Sequence, residues 1–132
     1  MRFLVMALVN PDSQPTAPPK PESYVAMQEY NAAAAKDGIL LAAGGLMPKG
    51  VRVRFSGEEP LVTDGPFTES KELIAGLMII KVNSFAEAIE WVKRAPNDAP
   101  DGKGLVEIRK PMDLEDFGEG FTPNEDIAKV KY

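Results

Sequence analysis

The residues best placed for chemistry fall in one short stretch, residues 62–72, with the sequence V-T-D-G-P-F-T-E-S-K-E. The stretch combines a turn signal that begins at Asp64, one aromatic side chain and four charged groups, and it leads directly into the apolar run 73–80. Loops held by a rigid scaffold carry a disproportionate share of binding and catalytic residues. This stretch, called the Asp64 loop below, is therefore the first candidate site.

Asp64 itself has two interpretations. Its carboxylate can close an Asx-turn by accepting hydrogen bonds from N–H groups of its own loop, since Asp-Gly-Pro is a frequent turn sequence. It can instead lie at the mouth of a cleft between the sheet and the first helix, as a general acid/base or as an anchor for a ligand. Acid–base work at neutral pH requires a raised pKa and hence partial burial. Both interpretations stay open.

The neighbours of Asp64 and one helix face complete the candidate ligand site. Phe67 either lines the cleft or fills the core, and Glu69 with Lys71 forms either a charged rim or a solvated turn. On the first predicted helix, Tyr24, Met27 and Tyr30 can line the same pocket, although such residues at helical spacing are more often core. The candidate ligand-binding residues are Tyr24, Met27, Asp64, Gly65, Pro66, Phe67, Glu69 and Lys71.

Composition excludes several chemistries. The 132 residues, the length of one domain, include no cysteine and no histidine. Zinc sites of the Cys/His type and Ser-His-Asp or Cys-His nucleophiles cannot be built, so acid–base chemistry must use a carboxylate, Lys or Tyr. We expect no metal and no cofactor. The net charge of −5 argues against a nucleic-acid partner, which clustered Lys and Arg would bind.

The N-terminal residues 1–9 superficially resemble a signal peptide, but no small-residue cleavage site follows them. We interpret them as a strand and expect a cytoplasmic protein without a membrane segment. No apolar run approaches the roughly 20 residues that a membrane-spanning helix needs.

Two halves of similar pattern organise the chain. In the first, a strand over 2–9 that is apolar on both faces leads through a proline-rich connector to a helix over 22–37. Tyr24, Met27 and Ala34 share one face of this helix, and Gly38 is its expected stop. A strand over 39–43 follows.

The second half begins with a hairpin and repeats the pattern. Strands over 51–55 and 61–63 are joined by a turn, and the first of them alternates as a half-exposed strand. A strand over 73–82 is again apolar on both faces. Ser84 and Glu87 form a capping box for a second helix, and a last strand covers 105–109. The predicted apolar stripe of the second helix is Phe85, Ala88, Ile89 and Val92.

This order, β-α-β-(β-β)-β-α-β, predicts an α+β fold of the ferredoxin-like type over residues 1–110. Two helices cover one face of the sheet, yet the strands over 2–9 and 73–82 are apolar on both. We therefore expect a homodimer that packs through the second face. Residues 110–132 contain six acidic and three basic residues. We predict that residues 111–132 form an acidic, extended tail packed on the domain or on a partner subunit.

The motif T-D-G-P-F-T-E-S-K-E-L, followed by a glycine-containing apolar strand, resembles the DGPF branch of the YCII-related proteins. Companion segments at 38–46, 88–91, 106–109 and 113–118 agree with this resemblance. It implies a dimeric α+β barrel of the ferredoxin-like type.

The same resemblance limits what can be inferred about activity. Some members use a histidine in the first helix and an aspartate just before a proline after the second helix. Counting from the shared segments, these places fall on Met27 and Ala95, so both groups are missing and the resemblance does not transfer that chemistry. Other DGPF members occur alongside extracytoplasmic-function sigma factors, which raises the possibility of a transcription-related protein partner.

Three functions stay open from the sequence. The first, which we favour, is a homodimer that binds a small polar metabolite in a cleft near the Asp64 loop. The second is a lyase or isomerase that uses Asp64 as general acid/base. The third is a regulatory interaction module that docks through its acidic tail.

Overall fold

Strands and helices alternate in the predicted order. The computed structural model describes residues 1–10, 20–65, 73–97, 99 and 102–130. Its main elements, within two residues of the predicted strand bounds, are β1 (Arg2–Val9), α1 (Pro21–Lys36), β2 (Leu40–Gly45), β3 (Val51–Ser56), β4 (Glu59–Asp64), β5 (Leu73–Lys81), α2 (Phe85–Lys93) and β6 (Leu105–Arg109).

The strands form a four-stranded antiparallel sheet and a separate hairpin. The sheet has the order β2-β5-β1-β6, so each helix crosses from one strand to a strand two places away. This interleaving of two βαβ halves is the ferredoxin-like arrangement, and the predicted α+β fold class is confirmed. Strands β3 and β4 pair only with each other within the described chain.

The hydrophobic core lies on the face of the sheet that carries both helices. In the register of β1 with β5, Phe3 lies opposite Ile80 and Val5 lies opposite Met78. Residues directly opposite each other project to the same face. These four side chains pack with buried residues of the helices, namely Ala34, Ala88 and Trp91.

The other face, called the open face below, is also apolar. Its central pairs are Leu4 with Ile79 and Met6 with Leu77. Leu4, Leu77 and Ile79 are half-buried and belong to neither the core cluster nor the side chains packed against it. The prediction that β1 and β5 carry apolar residues on both faces is therefore confirmed.

The predicted core-facing side of α1 is wrong, because the observed side is displaced by about one residue along the helix. Tyr24 is 64% exposed and Met27 is 38% exposed, whereas Ala34 is buried and Tyr30 packs against the core. The run of alanines gives the helix a weak apolar period, so the two larger side chains were assigned to the wrong face. The predicted stop is confirmed, because Gly38 has φ of 73° and its N–H bonds the Ala35 carbonyl oxygen at 3.0 Å.

The predicted cap of α2 is confirmed, with one difference. The Ser84 hydroxyl oxygen accepts a hydrogen bond from the Glu87 N–H at 3.2 Å. The Glu87 carboxylate reaches back to the N–H of Asn83, at 2.9 Å, rather than to that of Ser84. Two otherwise unpaired N–H groups near the helix start are thus satisfied.

The predicted apolar stripe of α2 is only partly right. Ala88 is fully buried and Trp91 is only 7% exposed, but Ile89 is 41% exposed and Phe85 is 46% exposed. The inward face is rotated toward Trp91 because that large ring packs on the sheet. Phe85 contributes at the margin, where its ring meets Phe3 edge-on at a centroid distance of 4.6 Å.

The hairpin differs most from expectation. The prediction of one covered face on β3 is wrong, since every residue of β3 and β4 is exposed. The alternation of valine with arginine does place the two residue types on opposite faces, but neither face is covered by another element of the described chain. The period-2 pattern alone cannot reveal that a hairpin leaves the sheet.

Beyond β6, the C-terminal segment is not extended as predicted. It contains a 3₁₀ turn, Leu114–Phe117, and a short helix α3, Glu125–Ala128. At the start of the 3₁₀ turn the Asp113 N–H donates to the Asp116 carboxylate at 2.7 Å. At the start of α3 the Asn124 side-chain oxygen accepts from the Asp126 N–H at 2.8 Å. The division into a domain and a tail at residue 110 stays a prediction. Among the helices that the structure describes, none has both the length and the apolar character required to cross a membrane.

Candidate functional site

Asp64 is the last residue of β4 and lies at the base of the hairpin. It pairs with Val51, and just beyond it the Gly65 N–H donates to the Gly50 carbonyl oxygen at 2.7 Å. Asp64 is exposed. Within the described chain its carboxylate makes no hydrogen bond and no ion pair, so the side-chain contact of an Asx-turn is not seen there. The backbone bond of Gly65, rather than the Asp64 side chain, holds the base of the hairpin.

The rest of the Asp64 loop lies outside the described residues. This applies to four of the predicted site residues, which stay predictions: Pro66, Phe67, Glu69 and Lys71.

The topology brings the other predicted residues to the same end of the sheet. We call this the hairpin end, where β1 finishes at Val9 opposite Leu73 and where β2 leads into the hairpin. Since α1 follows β1, its first turns start at this end, and they carry Tyr24 and Met27. Because α2 runs back from the far end of β5, Ala95 also follows at the hairpin end.

The chemistry available at the hairpin end is that of exposed groups. It comprises the carboxylate of Asp64, the phenol of Tyr24 and the thioether of Met27, each of them exposed. No side-chain hydrogen bond, ion pair or ring contact among described residues joins Asp64 to the other two. Such groups can hold a polar ligand, whereas acid–base catalysis would need a desolvated carboxylate. In the part of the chain that the structure describes, no three Asp or Glu side chains gather as metal ligands.

A second cluster was missed by the sequence reasoning. The Tyr30 hydroxyl donates to the Trp91 carbonyl oxygen at 2.8 Å, and the Arg94 guanidinium lies 4.3 Å from the centre of the Trp91 ring. Burial raises the pKa of Tyr30, and the positive charge of Arg94 opposes part of that rise. The lone tryptophan of the chain was a usable signal for this cluster. The contacts of this cluster join α1 to α2, so we interpret the cluster as stabilising the fold.

An ion-pair network at the far end of the sheet was also missed. Asp113 pairs with Arg2 at 2.9 Å and with Lys110 at 3.1 Å, and Lys110 also reaches Asp116 at 3.2 Å. The pKa of Asp113 is lowered, mainly by the hydrogen bond from Arg2 and next by that from Lys110. The pKa of Asp116 is also lowered, mainly by the hydrogen bond from the Asp113 N–H and next by that from Lys110. The same two aspartates raise the pKa of Lys110. Thus the start of the C-terminal segment is fastened to the start of β1.

Comparison with known proteins gives a family but no activity. The sequence model of the YCII-related domain matches residues 1–114. An uncharacterised protein of Rhizobium meliloti (strain 1021) is 37% identical over 67 residues. That match covers 51% of this chain and 52% of the relative, so the chain spans about half the length of the curated protein that it matches.

Proposed function

This chain belongs to the YCII-related domain family, and we propose that it is a cytoplasmic homodimer of the DGPF branch that binds a small polar metabolite beside the Asp64 loop. The observation that carries the binding proposal is the exposed Asp64 carboxylate, which makes no ion pair or hydrogen bond within the described chain. A carboxylate in this state can accept hydrogen bonds from a ligand without first breaking internal ones.

The surroundings of Asp64 support a ligand site. Tyr24 and Met27 belong to the first turns of α1, which start at the same end of the sheet, and both are exposed rather than part of the core. A phenol supplies a hydrogen-bond donor and acceptor, and a thioether supplies adaptable apolar surface. Together with a carboxylate, these groups suit a small molecule that carries hydroxyl or amine donors.

The open face supports the homodimer. Ile74 and Leu105 both pair with Leu8 on this face, and they are 46% and 50% exposed. Apolar residues that adjoin one another across three strands form a contiguous patch, and such patches mark interaction surfaces. A second copy offers the same patch, so one two-fold interface covers both.

The ligand proposal is tested by a thermal-shift screen of the purified protein against a metabolite library. Asp64→Ala is run beside it, with Asp126→Ala, another exposed aspartate, as matched control. A ligand at about 100 times its dissociation constant stabilises the folded state by about 2.7 kcal/mol. We expect hits that persist in Asp126→Ala and disappear in Asp64→Ala. A library without hits, or hits indifferent to Asp64→Ala, would remove the Asp64 loop as the site and leave protein docking as the function to pursue.

The homodimer is tested by sedimentation equilibrium on the wild type and on Leu77→Lys. Leu77 lies on the open face, so a charge there should weaken association while the helix-covered core stays intact. Ile80→Ala is the contrasting variant, because Ile80 is 1% exposed in the core. It should lose about 2–5 kcal/mol of folding stability. A wild type that is monomeric at all concentrations would contradict the proposal.

A further inference from the structure

Two side chains of opposite charge lie on the open face, beside its central apolar pairs. Ile108 of β6 packs against the core, so its neighbours Glu107 and Arg109 project to the open face. Both are exposed, and within the described chain neither is in an ion pair or a side-chain hydrogen bond. A carboxylate and a guanidinium without internal partners are therefore available to a surface that packs on this face.

The register of the sheet places each of these charges in a row of residues that crosses the open face. The row of Glu107 continues, strand by strand, through Met6, Leu77 and Gly44. The row of Arg109 continues through Leu4, Ile79 and Ala42. Between them lies a row that projects to the core side, called the central row below, which consists of Ile108, Val5, Met78 and Ala43. In both open rows a charge is followed by two larger apolar residues and then a small one, and the charges have opposite signs.

This arrangement of rows is complementary to itself. A two-fold axis that passes over the central row, at right angles to the strands, places the Glu107 row of one copy on the Arg109 row of the other. Each strand then lies over the same strand of the partner, so Glu107 meets Arg109 twice and the small residues Gly44 and Ala42 meet at the far edge. Packed sheets lie about 10 Å apart, a gap that a glutamate and an arginine bridge together. A two-fold interface requires this kind of reciprocal match.

The other simple orientation leaves the same charges without partners. An axis along the strands places β6 of one copy over β2 of the other. Glu107 and Arg109 would then lie over Gly44 and Ala42 and lose water without gaining an opposite charge, which costs free energy. An axis across the strands but shifted onto the Glu107 row would place Glu107 on its own copy. The charges thus select both the direction of the axis and its position.

We infer that the two copies pack through the open face with the two-fold axis over the central row, and that reciprocal ion pairs between Glu107 and Arg109 hold this register. The inference rests on the proposed homodimer and adds the orientation of its two copies. The apolar rows supply contact area, while the charge pairs exclude the misaligned arrangements, which is the usual role of charges across an interface.

Charge reversal tests the ion pairs. Glu107→Arg alone places two positive charges on each Arg109 contact, and Arg109→Glu alone places two negative charges on each Glu107 contact. Each variant should dimerise about ten-fold more weakly than the wild type, since two ion pairs become two repulsions in each dimer. The two variants mixed should form a heterodimer of nearly wild-type affinity, and so should the double variant that exchanges the charges. Glu29→Arg is the matched control, because Glu29 is exposed on α1, on the helix side of the sheet.

Cross-linking tests the orientation separately, because the chain has no cysteine. One batch carries Ala42→Cys and another carries Gly44→Cys, a position where an added Cβ meets no atom within 4 Å. The two are mixed, allowed to exchange subunits and treated with a short bismaleimide. We expect linked peptides that join positions 42 and 44. Lys36→Cys in place of Gly44→Cys should give no such link, because it lies at the end of α1 on the helix side.

The outcomes separate this inference from the homodimer itself. Pairing of two β6 edges around Ile108 would also join Glu107 to Arg109, but it would leave the two β2 strands far apart and give no link between positions 42 and 44. A dimer without that link, or one whose affinity is indifferent to both charge reversals in sedimentation equilibrium, would overturn the orientation and leave the homodimer standing. A wild type that is monomeric at all concentrations would overturn both.

Discussion

The hydroxyl of Tyr30 donates a 2.8 Å hydrogen bond to the backbone carbonyl oxygen of Trp91, which joins α1 to the end of α2. The two rings lie 6.2 Å apart and are tilted by 59°. Both helices also pack on the core face, Ala34 from α1 and Ala88 from α2. The bond therefore fixes the position of one helix relative to the other where they cover the same sheet.

Tyr30→Phe should lower the free energy of unfolding by about 1 kcal/mol, the usual net value of one intramolecular hydrogen bond. Urea unfolding followed by far-UV circular dichroism measures the change. Tyr24→Phe is the matched control, since Tyr24 is 64% exposed, and it should alter stability by less than about 0.5 kcal/mol. Equal effects of the two substitutions would show that the Tyr30 bond does not stabilise the fold.

The raised pKa of Tyr30 predicts a loss of stability in alkali. Its ordinary value is 10.0, and burial raises the pKa in the folded protein. Between the two values the unfolded chain loses the phenolic proton while the folded chain keeps it, so stability falls as pH rises. The contribution is fully present below pH 10.0. Melting temperatures from pH 8 to pH 12 should fall less steeply in Tyr30→Phe than in the wild type, and parallel curves would contradict the assignment.

The cap of α2 gives a separate stability prediction. Ser84→Ala removes the oxygen that accepts from the Glu87 N–H at 3.2 Å, and the loss of an N-cap typically costs about 1 kcal/mol. Ser56→Ala serves as the control, because Ser56 is exposed at the end of β3 and caps no helix. The measurement is again urea unfolding. A Ser84→Ala protein as stable as Ser56→Ala would mean that Glu87 alone satisfies the start of the helix.

Features that depend on residues close together in the sequence were predictable. The apolar faces of β5, the stop at Gly38 and the cap at Ser84 each depend on residues a few positions apart, and each was found where expected. The strand order then followed, because few topologies connect such a series of elements.

Features that join distant residues were not predictable from such patterns. Arg2 and Asp113 are 111 positions apart, and no sequence pattern near either residue indicates that they pair. The inward face of α1 was misjudged because alanine packs closely without a strong apolar period, as at Ala34. The sequence pointed to Asp64 as a candidate site residue. It did not show that Asp64 is the exposed last residue of a hairpin that leaves the sheet, because that position depends on tertiary structure.

The Arg2–Asp113 pair makes the last prediction, which concerns acid. A hydrogen bond from Arg2 is the largest cause of the lowered pKa of Asp113, ahead of that from Lys110. Titration of the carboxyl carbon by NMR should therefore find a pKa below the ordinary 3.8, and Arg2→Gln should raise it toward that value. Arg94→Gln is the matched control, because Arg94 follows the last residue of α2 and contacts Trp91 rather than Asp113, and it should leave the Asp113 titration unchanged.

The same pair fixes the direction of the pH dependence of stability. Because the pKa of Asp113 is lowered in the folded protein, its contribution is present above pH 3.8 and is lost as pH falls through the lower folded value. Arg2→Gln should consequently melt below the wild type at pH 7, and the two curves should converge as the pH approaches 2. A difference that persists unchanged in acid would mean that Arg2 stabilises β1 through contacts other than that with Asp113, since a charge contact with Asp113 cannot survive protonation of the carboxylate.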